Sequence, residues 1–116
     1  MLNHKELEDN LTSSIRESLG LSTEKLGQLL QVSSRTIARW EERVNIPRNS
    51  SQILRIHKLK EIVDIGLKVY TAEGLQEFLS KPQPIFNGHT AYQLISIGEY
   101  DSIISALAAD FEGLGF

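Results

Sequence analysis

The sequence predicts an all-α protein: an N-terminal helix-turn-helix followed by a small helical domain. Three observations predict it. Apolar residues recur every three or four positions through most of the chain, the helical period. Capping residues and breakers (Ser22, Ser33, Thr71, Thr90, Gly20, Pro47, Gly98) fall where those runs begin and end. No stretch shows a trustworthy two-residue alternation. The 116 residues with 41% hydrophobic content suit one compact domain or two small ones.

Residues 5–19 form the first expected helix. Leu7, Leu11, Ile15 and Leu19 repeat every four positions, and Gly20 stops the run. Ser22 caps a second helix, Thr23 to Leu30, with Leu26, Leu29 and Leu30 as its apolar side. Gln31-Val32-Ser33 is the turn. A third helix runs from Ser33 or Ser34 to about Val44, and Pro47 closes the segment.

The third helix divides into two faces. At about 100° per residue, Ile37, Trp40 and Val44 share one side, and Arg35, Arg39 and Arg43 lie near the other. Ser33 is a good N-cap, because its hydroxyl accepts from a backbone N–H of the first turn. Such a helix packs on a core while offering guanidinium groups to guanine edges or phosphates. Ser33 and Ser34 leave small residues at its tip, and Thr36 follows them. Thr23 and Lys25 open the preceding helix, where N–H groups and the helix dipole favour phosphate. The expected DNA-binding residues are Thr23, Lys25, Ser33, Ser34, Arg35, Thr36, Arg39 and Arg43. Glu41 flanks the apolar seam, and a half-buried carboxylate there requires a cation; Arg16 in the first helix is the expected partner.

After Pro47, Asn49 or Ser50 caps a longer helix to about Tyr70. Its seam is Ile53, Ile56, Leu59, Ile62 or Val63, then Leu67 or Tyr70. Thr71 caps Ala72 to Ser80, with Leu75, Phe78 and Leu79 inward. Pro82 and Pro84 forbid helix and imply an extended loop. Asn87-Gly88 signals a turn, and Thr90 caps a helix from Ala91 to about Ile97, ended by Gly98. A last helix runs from about Tyr100 to Phe111 on Ile103, Ile104 and Leu107. The expected domains are residues 1–48, binding DNA, and 49–116, the connecting helix with a helical partner-binding part.

The formal net charge is -3, yet charge is segregated. From Lys25 to Lys60 there are eight basic residues against two acidic; from Glu61 to Phe116 there are two basic against eight acidic. A basic block beside an acidic one implies two surfaces with different partners. There is no cysteine, which excludes disulfides, cysteine-based zinc sites and thiol nucleophiles. His4, His57 and His89 have no acidic residue at metal-ligand spacing, and no serine has a His and Asp context. No catalytic activity, metal or cofactor is expected. Gly113-Leu114-Gly115-Phe116 spells the carboxylate-binding loop of peptide-binding domains, but that loop requires a following strand. No apolar run is long enough to span a bilayer, and Met1 to Asn10 is too polar for a signal peptide, so a cytoplasmic protein is expected.

Gln31-Val32-Ser33-Ser34-Arg35-Thr36-Ile37-Ala38-Arg39-Trp40 resembles the N-terminal helix-turn-helix of the Xre/MbcA/ParS-type antitoxins. Leu54-Arg55-Ile56-His57-Lys58-Leu59 and the helix to Val69-Tyr70 resemble that family's connecting helix. Phe78-Leu79 followed by Pro82 resembles its Trp-Leu-x-x-Pro segment, with Phe for Trp. Phe86 to Ile95 and then Gly98 resembles its Gly-x-x-Pro-x-x-Leu-Leu stretch, with Ala91 where Pro is usual. The similarity runs over about residues 20–116. The resemblance implies a type II antitoxin that binds and neutralises a RES-type, NAD-degrading toxin through its C-terminal region. It also implies autoregulation by binding operator DNA, as a homodimer within a toxin–antitoxin complex. By position, Phe111, Gly113, Leu114 and Phe116 would be the tail that occludes the toxin's cleft.

Two other readings fit the residues. One is a stand-alone phage-type or metabolic repressor whose acidic half serves dimerisation or ligand binding. The other is a helical interaction module without DNA binding, to which the exposed Glu42 and the negative net charge lend themselves.

Overall fold

The computed structural model describes residues 4–43 and 47–113, and side chains from residue 11 onward. Among these the chain is all-α, with the helices in the expected order: α1 (His4–Leu19), α2 (Thr23–Leu30), α3 (Ser34–Glu41), α4 (Ser50–Val69), α5 (Ala72–Ser80), α6 (Ala91–Ser96) and α7 (Asp101–Gly113). It forms two compact units, residues 1–57 and 58–116. The division expected at 48/49 is thus displaced into α4: the helix is continuous, and its first two turns, with Ile56 fully buried, belong to the first unit.

In the first unit, α3 packs on α1 and α2. Ile15, Leu19, Leu26, Leu29, Leu30, Ile37 and Trp40 make its core. The helical period of these residues produces that core directly, because residues three and four apart share a face. The side chain of Leu7 and the position of Val44, both expected on these seams, lie outside the described residues.

Helix α2 begins at Ser22, whose hydroxyl accepts from the Lys25 N–H at 3.1 Å. It ends at Gln31, in the left-handed conformation (φ 60°, ψ 44°). The Val32 N–H donates to the Gly27 carbonyl at 2.9 Å, folding the turn onto α2. That close approach requires glycine: a Cβ at position 27 would stand 2.6 Å from the Val32 carbonyl oxygen.

In the second unit, α5 packs on α6. Leu59, Ile62, Val63, Leu75, Leu79, Phe86, Ala91, Ile95, Ile103 and Leu107 are buried. Thr71 caps α5 through the Gly74 N–H (3.1 Å), and Thr90 and Gln93 form a reciprocal capping box on α6. Three expectations change here. Leu67 is exposed rather than on the seam of α4, where Gly66 instead lies buried against Leu75. Pro84 opens a 3₁₀ turn, Pro84–Phe86, rather than an extended loop, since its fixed φ suits the first position of a helical turn. Phe78 is half-buried, stacked on Tyr70 with ring centroids 5.4 Å apart and edge-on to Phe86 at 6.2 Å.

Candidate functional site

Helix α3 is the best-defined candidate surface. The Ser33 hydroxyl accepts from the Thr36 N–H at 3.0 Å and lies 2.9 Å from the Thr36 hydroxyl, so the first turn is closed by side chains. Arg35 is exposed, and Ser34, Thr36 and Arg39 are half-buried. Arg39 lies in the last turn, where a cation complements the helix dipole. Ile37 and Trp40, 0% and 2% exposed, hold the opposite face to the core. One expectation is corrected. The helix ends at Glu41, and Arg43 takes a left-handed conformation (φ 63°) instead of continuing the arginine face. Its N–H donates to the Trp40 carbonyl at 3.2 Å, the contact that turns the chain off the helix axis.

The expected pair between Arg16 and Glu41 is present and bidentate: Nε donates to Oε2 at 2.7 Å, and Nη2 donates to Oε1 at 2.8 Å. Nη1 also donates to the Leu21 carbonyl at 3.4 Å. The hydrogen bond to Glu41 raises the Arg16 pKa above its ordinary value against the opposing effect of burial. The pair ties the last turn of α3 to α1 and so fixes the axis on which Arg35 and Arg39 are carried.

Thr23 and Lys25 lie at the start of α2, both half-buried. The Lys25 N–H is occupied by Ser22, and the Thr23 hydroxyl donates to the Glu24 carboxylate at 3.3 Å. Glu24, in that first turn, is a carboxylate beside the expected phosphate position.

In the second unit, Phe111 and Gly113 both belong to α7, which runs two residues beyond its expected end. Gly113 is therefore helical rather than unusually folded. The Lys68 ammonium lies 5.7 Å from the centre of the Phe111 ring. Leu114 and Phe116 lie outside the described residues. A feature not found from the sequence is an open cleft of about 580 Å³ lined by Tyr70, Phe78, Ile85, Ala106, Ala109 and Asp110, among others. The Tyr70 hydroxyl donates to Asp110 at 3.3 Å, and burial, with Asp110 second, raises the tyrosine's pKa. Ile85 and Ile97 are each 68% exposed. Their apolar character is visible in the sequence, but their exposure depends on the 3₁₀ turn and on the α6 terminus.

Among the described residues no group of His, Asp and Glu is arranged to hold a metal ion, and no helix is long and apolar enough to cross a membrane.

This all-α architecture is that of a known antitoxin: the fold matches a chain in the crystal structure of the M. tuberculosis MbcT–MbcA toxin–antitoxin complex. The TM-score is 0.79 at 24% identity, over 91% of this chain and 95% of that one. The chain is homologous to the mycobacterial cidal antitoxin MbcA, as found in Mycobacterium tuberculosis and Mycobacterium bovis, with 24% identity over 98 residues. The match covers 84% of this chain and 86% of the relative. No family model matches the chain.

Proposed function

We propose that this protein is the antitoxin of a type II toxin–antitoxin pair, binding and neutralising a cognate toxin through its second unit. The observation that carries the reading is homology to MbcA along most of both chains, in a fold shared with an antitoxin bound to its toxin. The toxin is of the RES type and degrades NAD, as the resemblance of the motifs implies. The interface comprises Phe111 and Gly113 at the end of α7, followed by Leu114 and Phe116, which supply two apolar anchors. The cleft beside Ala106, Ala109 and Asp110, on the same helix, supports a partner surface on this unit. The antitoxin acts in the cytoplasm, as a homodimer within the complex, and has no catalytic role.

The first unit binds operator DNA as a helix-turn-helix, with α3 as the reading helix, and represses the protein's own operon. The apolar face of α3 is buried and the arginine face is not, which supports this role. Arg35 and Arg39 face base edges or phosphates; Ser33, Ser34 and Thr36 permit close approach; Thr23, Lys25 and Arg43 flank them.

Co-expression with the neighbouring toxin gene tests the first role. Removing residues 111–116 is expected to restore toxicity with the helical circular dichroism retained. Neutralisation by the truncated protein would overturn the tail's role. A stand-alone repressor predicts instead tight operator binding and no co-purifying enzyme.

A further inference from the structure

Six described residues hold a left-handed backbone: Gln31, Arg43 and Asn87, and the glycines Gly20, Gly88 and Gly98. Glycine has no Cβ to clash in this region, and asparagine tolerates it through its short amide. Four of the six positions thus carry residues suited to the conformation. The two exceptions, Gln31 (φ 60°) and Arg43 (φ 63°), stand immediately outside the two ends of α3 and its caps. Both are exposed. Gln31 is also the C-cap of α2, a position where glycine is the usual residue. A long polar side chain is therefore kept at both borders of α3, where glycine would relieve the backbone.

We propose that Gln31 and Arg43 are DNA-backbone contacts that bracket α3, retained against the conformational preference of their positions. This rests on the reading of α3 as a DNA-binding helix. Departure from a favoured backbone region points to function when it recurs at one surface. The eight residues of α3 span about 12 Å, close to the width of a major groove. Side chains just beyond its two ends can then reach the phosphates along the groove's edges. Arg43 supplies a charged donor and Gln31 a neutral amide donor, both common partners of phosphate oxygens. Gln31 lies outside the periodic face of α3, so helical spacing alone does not reveal it.

The test uses the full chain and a labelled mixed-sequence duplex of about 30 base pairs, titrated between roughly 50 and 200 mM salt, since phosphate contacts do not depend on sequence. Gln31→Gly and Arg43→Gly are expected to melt at or a few degrees above the wild-type temperature while binding about three- to tenfold more weakly. Arg43→Gly should lower the slope of log K against log salt by about one, and Arg43→Lys should restore it. Gln31→Gly should leave that slope unchanged. Glycine variants that bind like the wild type overturn the proposal, as do variants that melt lower, which would mark these side chains as structural. A wild-type chain that binds no duplex at any salt would remove the DNA-binding reading itself, and does so before any variant is made.

Discussion

Arg16 and Glu41 show how burial and pairing balance at a single contact. Glu41 keeps 15% of its side-chain surface exposed and Arg16 28%, so both are partly desolvated, and two hydrogen bonds in fork geometry offset that cost. Arg16→Ala leaves the carboxylate without its cation. It is expected to lower stability by about 1–3 kcal/mol in urea unfolding, whereas replacing both residues by apolar ones should cost less than that single loss. Tyr92, 8% exposed, gives a pH dependence. Burial pushes its pKa up from 10.0 to about 12. A raised folded-state pKa means that the proton is held more tightly in the fold. The corresponding stability is complete below pH 10 and is lost as pH rises towards 12, by roughly 2–3 kcal/mol. Tyr92→Phe should flatten this part of the alkaline stability profile; an unchanged slope would show that other groups cause it.

Two glycines set the approach of elements and differ in what opposes them. At Gly27 the obstacle to a Cβ is backbone, the Val32 carbonyl at 2.6 Å. At Gly66 it is the end of a side chain, the Leu75 Cδ1 at 2.5 Å. Alanine gains up to about 1 kcal/mol of helix propensity over glycine at either site. A carbonyl locked into the turn by its neighbours cannot give way, so Gly27→Ala is expected to be destabilising by about 1–3 kcal/mol net. Leu75 can rotate, although it is fully buried, so Gly66→Ala should cost less. Thermal melts of the two variants compare them directly, and an equal or reversed order would mean that the turn relaxes more readily than the α4–α5 contact. Helix ends also follow local chemistry. α3 stops at Glu41, where Arg43 turns left-handed, while α7 continues through Phe111 to Gly113 because no breaker lies between them.

For the whole molecule, the first unit carries the arginine-bearing helix and the second carries eight acidic residues against four basic. This segregation supports separate partners and yields separable variants. Arg35→Ala and Arg39→Ala should each weaken promoter binding by about 1–3 kcal/mol while leaving toxin neutralisation intact, as measured by mobility shift and by growth on co-expression. Truncation before Phe111 should have the converse effect. Loss of both activities in either variant would mean that the two roles are not separable.

The helix order, the caps Ser22, Ser33, Thr71 and Thr90, and the Arg16–Glu41 pair are determined by the sequence on its own, because each depends on local spacing or on one unmet charge. The likeness to MbcA-type antitoxins was legible in the order of several loose motifs, which homology to MbcA supports. The left-handed turn at Arg43, the need for glycine at 27, the burial of Gly66 in place of Leu67, and the cleft holding Tyr70, Phe78 and Ile85 were decided only by tertiary structure. Each depends on atoms brought close by packing between elements, a distance that neither periodicity nor capping chemistry encodes.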